Sequence, residues 1–425
     1  MTTSAPAGPL PVPSPHFTPP AVRESVLEGG TLVGIDRAGA GDLAEARLVV
    51  PLTPAGPAHA TEVDVAADVL KGVLGEAVGR LAVVRAEARP DRLVVSVRAF
   101  AGDLAEVCTS VGAALEAPDL FGDERVARAA GTVRDRAAAT AALPAVVART
   151  GFLSAVYGTH PYGRTATAAD AGEVTGERLA ALLGSAPASA RRGVVVGRGP
   201  VEELLAAAAP LLPRPSARAP RTAYPPADRP GGGAATVLAP GAPQALIRLG
   251  GQVPGRTHAD YPALQLAVLM LGGWFGSRLT LVLREREGLS YAPRAVLDPL
   301  GSTAAFTLEA DVRTDGAARA LVLIDEELER LAAGAFAPRE LLSAQNFAVG
   351  SMAMSCSSRS GLASVFAGTL ASGLPARWLG GYEPRVRALS PADVARAART
   401  YLQEPGLTGV VVTPGAPDGL PPVRP

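Results

Sequence analysis

Lysine is almost missing from this 425-residue chain: Lys71 stands alone among 40 basic residues. The other basic residues are arginines, and with the abundance of Ala, Gly and Pro this reads as coding bias rather than function. Charge imbalance is missing as well, since 40 acidic residues balance the basic ones and the pI lies near neutrality. That excludes the basic footprint by which nucleic-acid binders hold phosphates. Cysteine is scarce: Cys108 and Cys356 cannot build a disulfide framework, and neither stands in a metal-ligand spacing. Buried thiols in a reducing compartment are expected. No uninterrupted apolar run is long enough to span a bilayer, and the N-terminal stretch MTTSAPAGPLPVPSPHF lacks the basic and apolar regions of a signal peptide. A cytoplasmic protein is expected, with neither nucleic acid nor membrane as a partner.

What is present is core-forming residue: 48% of the chain is hydrophobic, and its length suggests two or more domains. Residues 1–25 are rich in Pro, Ser and Ala and read as a disordered tail. Strands are expected at Thr31–Asp36 and Arg47–Leu52, then a helix over Val63–Val78 with apolar residues at Val65, Val69, Leu70, Val73 and Leu74. A hairpin follows, Leu81–Glu87 and Leu93–Phe100 around Arg89-Pro90-Asp91. Helices at Gly102–Leu115, Glu124–Ala141, Pro144–Val156 and Gly176–Leu183 lead to a strand at Arg192–Val196 and a helix at Pro200–Leu212. Residues 213–235 have a Pro/Arg/Gly linker composition.

Beyond the linker the order restarts. Strands are expected at Thr236–Ala239 and Gln244–Gly250, and a helix opens at Asp260-Tyr261-Pro262. Strands near Ala292–Leu297 and Thr303–Val312 precede helices at Ala317–Ala333, Pro338–Met354, Ser360–Ser372 and Pro391–Tyr401, and a strand at Leu407–Val412 closes the half. The pattern predicts an α+β fold used twice, each domain an antiparallel-rich sheet covered by helices, over 26–212 and 236–415.

The densest chemistry lies in Leu271–Tyr291, LGGWFGSRLTLVLREREGLSY. It reads as a helix end, a Gly-Gly break, a second helix, and an extended segment opened by Tyr291. Ser277 is a candidate N-cap, Leu279, Val282 and Leu283 form an apolar face, and Gly288 is placed for a left-handed stop. That would put Arg284 in the last helical turns with Tyr291 just beyond, so one turn could aim guanidinium and phenol at one point.

This order of residues resembles the pitrilysin/insulinase family of zinc peptidases. Gly272, Gly273, Ser277, Arg278 and Leu279, followed by Arg284, Glu285, Arg286, Gly288, Leu289, Ser290 and Tyr291, match a motif of its C-terminal half. A second match, Tyr157-Gly158-Thr159-His160-Pro161-Tyr162-Gly163-Arg164, lies in the N-terminal half. The resemblance implies a duplicated two-domain chain and a bacterial-type heterodimeric peptidase in which one subunit supplies zinc and the other an Arg/Tyr pair.

The zinc half is missing from this sequence. Active family members carry His-x-x-Glu-His on the first long helix, two imidazoles one turn apart with a Glu that activates water. Counting back from Leu70-Lys71-Gly72, those positions fall on Val63, Ala66 and Ala67. His59 and Glu62 imitate the first spacing, but Val63 stands where the second His belongs. The family's distal Glu is also absent, because no Glu occurs between Arg125 and Gly172. No metal is expected in this chain, and zinc is expected in a homologous partner carrying His-x-x-Glu-His.

On the resemblance, Arg284 and Tyr291 are the substrate- and transition-state-binding residues. A permanently charged guanidinium can donate to substrate carbonyls, and a phenol can donate to a developing oxyanion. Their ordinary alternative is a solvated helix charge and a half-buried strand aromatic. Arg278 and Arg286 read as solvated or paired with Glu285 and Glu287, and Gly272 and Gly273 as a close backbone approach or a helix end. His160 and Tyr162 read as a helix-to-loop junction. The expected role is a substrate-binding subunit, inactive alone, that helps cleave peptides in a closed chamber, in a setting such as leader removal from a ribosomally made peptide. The alternative is a structural homologue with no peptidase role.

Overall fold

A computed structural model describes residues 15–37, 41–212, 233–415 and 418–423. The first half contributes strands β1 (Arg23–Leu27), β2 (Gly30–Asp36), β3 (Leu43–Pro51), β4 (Ala82–Arg89), β5 (Arg92–Phe100) and β6 (Arg192–Gly197). Its helices are α1 (His59–Val78), α2 (Leu104–Glu116), α3 (Asp123–Thr140), α4 (Pro144–Tyr157), α5 (Ala168–Ala171), α6 (Gly176–Leu183) and α7 (Val201–Ala208). The second half contributes β7 (Gly233–Leu238), β8 (Ala245–Pro254), β9 (Arg294–Leu300), β10 (Thr303–Val312) and β11 (Thr408–Thr413). Its helices are α8 (Tyr261–Val268), α9 (Ala317–Ala332), α10 (Pro338–Ser355), α11 (Arg359–Ala371), α12 (Tyr382–Arg387) and α13 (Pro391–Ala398).

The two sheets are one design used twice. The first runs β1-β2-β6-β3-β5-β4 and the second β7-β11-β8-β10-β9, so from β2 and β7 onward the orders correspond strand for strand. Each contains a single parallel pair, β2 with β6 and β7 with β11, and is otherwise antiparallel. The α+β class is what the sequence predicts. Outside the shared set, β1 extends the first sheet past β2, and Val423 bridges to Thr236 at the same edge of the second.

Each half covers the other. Helix α11 lies across β3 and β6, and α4 lies across β8 and β11. Leu362, Ala363, Phe366 and Ala367 join a core with Val33, Val49, Val194 and Val196 of the first sheet. Ala148, Phe152, Val156 and Tyr157 in turn pack with Leu246, Ala305, Val410 and Val412 of the second. The strand sequences show this two-sided cover: residues 193–197 and 409–412 are buried runs of Gly and Val without polar alternation, as strands buried on both faces require.

Polar contacts fix the joint. Buried Glu45 accepts from Arg98 Nε at 2.9 Å and from Ser360 Oγ at 3.0 Å, tying β3 to the start of α11. The β4–β5 turn meets the β9–β10 turn, where Asp91 Oδ2 accepts from the Gly301 amide at 2.7 Å.

Two parts of the domain reading are corrected. Residues 15–25, assigned to a disordered tail, are held: Phe17 is buried, its amide donates to Glu383 Oε2 at 2.7 Å, and β1 begins at Arg23. Residues 233–235, assigned to the linker, belong to β7 because β11 offers a parallel edge there. The remaining linker, 213–232, and residues 1–14 lie outside the described residues.

Asp260, just before α8, is clamped by Arg396 at 2.9 and 3.0 Å and by the Tyr401 hydroxyl at 2.7 Å. Arg396 first, then Tyr401, holds its carboxyl down at about 2. A depressed carboxyl stabilises the fold above its unfolded value of about 3.9 and loses that contribution as pH falls through the folded value. Asp260→Asn should therefore unfold at a lower temperature than the parent at pH 7. The gap should close between about pH 4 and pH 2, as thermal melts across that range would record.

Candidate functional site

The stretch Leu271–Tyr291 folds as two interrupted helices. Helix α8 continues as a π-helical turn, Leu269–Gly273, the backbone extends at Trp274, and a second π-helical segment spans Thr280–Arg286. Such π turns are uncommon and cluster at functional sites. Gly272 is required by close approach: a Cβ there would sit 2.6 Å from the Ala295 amide nitrogen on β9. Gly288 takes φ +62°, the left-handed stop the sequence predicts, and the Leu289 and Ser290 amides both return to the Leu283 carbonyl, at 2.7 and 3.1 Å. Leu279, Val282 and Leu283 are buried, as their spacing requires.

Three expectations for this stretch are revised. The buried Ser277 hydroxyl pairs with the Thr280 hydroxyl at 3.0 Å rather than with a backbone amide. Tyr291 does not open a strand: Ser290 makes one bridge to Val312, and β9 starts at Arg294. Arg278 is neither solvated nor paired with Glu285 or Glu287. It is buried, binds Glu340 through two nitrogens at 2.7 and 3.1 Å, donates to the Ala335 carbonyl at 2.8 Å, and reaches Glu327 at 3.4 Å. Glu287 instead pairs with Arg319 at 3.2 Å. Arg278 thus anchors this segment to α9 and α10, while Arg286 is exposed as expected.

The structure brings Arg284 and Tyr291 together. The Arg284 guanidinium carbon lies 4.7 Å from the Tyr291 ring centroid and 4.7 Å from that of Phe275, both within cation–π range. Glu285 reaches Arg284 Nε at 3.3 Å. Tyr291 is 80% and Phe275 71% exposed, so both rings present apolar surface to solvent beside the guanidinium. Phe275 is the residue sequence reasoning missed. Its signal was an aromatic placed between the Gly-Gly break and Gly276, where nothing in helical periodicity would bury it.

The second motif is structural. Gly158 turns the chain at φ +56°, the buried His160 accepts from the Tyr162 amide through Nδ1 at 3.1 Å, and the Tyr157, His160 and Tyr162 rings meet edge to face or tilted. Burial, and secondarily His59, pushes the His160 imidazole below its ordinary range. Tyr162 lies against the β9–β10 turn at Gly301, so this segment helps join the two halves.

The donor set in α1 does not fit catalytic zinc. Val63, Ala66 and Ala67 are buried and carry no ligand atom. His59 Nε2 lies 2.6 Å from the Pro90 carbonyl, and Glu62 is held by Arg178 at 2.7 Å, so the imitation site is engaged elsewhere. Among the described residues no group of three or more His, Cys, Asp or Glu is arranged to hold a metal. Chelator treatment of the purified chain should leave its melting temperature unchanged, and metal analysis should find substoichiometric zinc. One zinc per chain that survives dialysis would contradict this.

Where α1, α3 and α4 meet, a cavity of about 770 Å³ opens, walled by Ala60, Val63, Val133 and Ala137 and edged by Arg89, Arg136, Arg149, Arg164 and Asp64. Burial pushes the Asp64 carboxyl up, partly opposed by Arg136, which reaches Asp64 and Asp68 at 3.5 Å.

Two duplicated α+β domains packed face to face, each sheet covered by a helix of the other, define the class of protein. Solved structures share that fold. The peptidase M16 inactive domain from Pseudomonas fluorescens is 20% identical, with a TM-score of 0.78 over 95% of this chain and 100% of that one. A protease from Helicobacter pylori is 18% identical, with a TM-score of 0.79 over 93% and 100%. The periplasmic protease PqqL from Escherichia coli is 18% identical, with a TM-score of 0.72 over 98% of this chain and 48% of that one. Residues 192–347, which contain the Arg/Tyr stretch, match the family model described as the peptidase M16 inactive domain. None of the curated proteins matches by sequence. Residues 192–347 are thus similar to the peptidase M16 inactive domain, and the chain as a whole shares the fold of these solved structures.

Proposed function

We propose that this chain is the substrate-holding subunit of a two-chain zinc peptidase, with zinc supplied by a homologue that carries His-x-x-Glu-His. The observation that carries the reading is the exposed cluster of Arg284, Tyr291 and Phe275 on a segment anchored by the buried Arg278. A partly exposed guanidinium and an exposed phenol held in one place can donate to the carbonyl of a peptide bond and to the oxyanion formed when metal-activated water attacks it. The donor set of α1 leaves activation of that water to another chain. The half-length match to PqqL adds support, because one polypeptide there has the length of two such units. The substrate class is an extended peptide, and leader removal from a ribosomally made peptide is the setting in which such a cytoplasmic pair would act.

Co-expression with a His-x-x-Glu-His homologue tests the pairing. The two chains should co-elute in equal amounts, with zinc following the homologue. Separate elution at micromolar concentration would sink the proposal.

A further inference from the structure

We propose that the cavity between α1, α3 and α4 is a pocket for a carboxylate group on an extended peptide, a site for an anion at the place where the family's zinc motif would stand. The inference rests on the reading of this chain as a peptide-holding subunit and adds what kind of peptide it holds.

The charge around the cavity carries the inference. Four guanidiniums and one carboxylate line it. Arg89 is bonded to Asp298 at 3.4 Å, and Arg136 is shared between Asp64 and Asp68. Arg164 has no salt bridge among the described residues and Arg149 acts on Asp64 only at longer range, so four guanidiniums against Asp64, Asp68 and Asp298 leave positive charge in excess. Guanidiniums in a fork geometry are the side chains best suited to bind a carboxylate through two parallel hydrogen bonds. Thr150 and Thr165, whose hydroxyls lie 3.3 Å apart on the lining, add donors of the same use. The four arginines stand at the exposed rim above the apolar walls, so they meet an incoming carboxylate at the mouth while the walls cover the apolar part of the peptide. At about 770 Å³ the space suits a peptide segment rather than a bare ion.

The duplication supplies an internal control. The equivalent cavity of the second half, between α8, α10 and α11, measures about 390 Å³ and is lined by Arg256 alone among charged residues, with Tyr261, Trp378 and Tyr382. The arginine set is therefore a property of the first cavity and not of the repeated fold.

The carboxylate could be a peptide C-terminus or an Asp or Glu side chain, and both arms can be measured. Fluorescein-labelled peptides of one extended sequence would be titrated with the full chain by anisotropy: free acid against C-terminal amide, and internal Glu against Gln and Lys. At least one carboxylate form should bind about tenfold more tightly than its neutral counterpart, the equivalent of about 1.4 kcal/mol, and the Lys form should bind least. The double substitution Arg149→Gln with Arg164→Gln should erase the preference, and Arg149→Lys with Arg164→Lys should restore part of it, with unchanged circular dichroism in each. Equal binding of acid and neutral peptides, or a preference that survives the Gln pair, overturns the pocket alone. If no peptide binds at all, the peptide-holding reading fails and the pocket falls with it.

Discussion

Arg284→Ala should leave the complex with the zinc-bearing homologue intact while lowering kcat for peptide hydrolysis on the order of 10²–10³-fold, the cost of one oxyanion donor at about 2.7–4 kcal/mol. The side chain is partly exposed and its removal opens no core, so co-elution and melting temperature should hardly move. Two companion variants separate its roles. Tyr291→Phe keeps the ring that stacks on the guanidinium but removes the hydroxyl, so a comparable loss in kcat would assign donation to the phenol. Phe275→Ala removes the other ring and leaves both donors in place. Its loss should be only a few-fold, since exposed cation–π contacts are worth roughly 0.5–1 kcal/mol. A fall in KM affinity with kcat unchanged in Arg284→Ala would mean uniform substrate binding and no oxyanion role.

The largest stability effect should come from Arg278. Removing one partner of a buried ion pair strands the other, at a cost of about 3–5 kcal/mol. Glu327 is slightly more buried than Arg278 but keeps Arg330 as a second partner at 2.6 Å, and Glu340 is partly exposed. Arg278→Ala should therefore fall towards the lower end of that range, read as a lower midpoint in urea unfolding. The same variant should disturb the geometry of Arg284, because Arg278 ties its segment to α9 and α10. Arg278→Lys should recover only part of the stability, since an ammonium cannot bind Glu340 through two nitrogens as the guanidinium does. An unchanged midpoint for Arg278→Ala would show that the pair contributes nothing to the fold.

Strand and helix positions were largely legible because period, turn chemistry and stop signals agreed. Thr303–Val312 and Gly176–Leu183 have the bounds their patterns predict, and Pro90-Asp91 makes the hairpin turn between β4 and β5. Local pattern could not say what covers each element. Ala148, Gly151 and Phe152 look like any apolar helix face, yet they rest on the sheet of the other half. Only long-range packing decides that, and it also decides the fate of Arg278, whose partners lie 49 and 62 residues away. Strand β1 escaped because Arg23-Glu24-Ser25 follows a Pro-rich run and is half exposed, leaving no apolar alternation to read. In the candidate site, motif order pointed to Arg284 and Tyr291. Phe275 and the arginines of the cavity carried no motif and emerged only when their elements came together.

Peptide hydrolysis by this chain, by a zinc-bearing homologue, and by their mixture is the most direct test. A shared site predicts that cleavage appears only in the mixture and is lost with Arg284→Ala although the complex still forms. Full activity of the homologue alone, undiminished when this chain is absent or substituted, would contradict it.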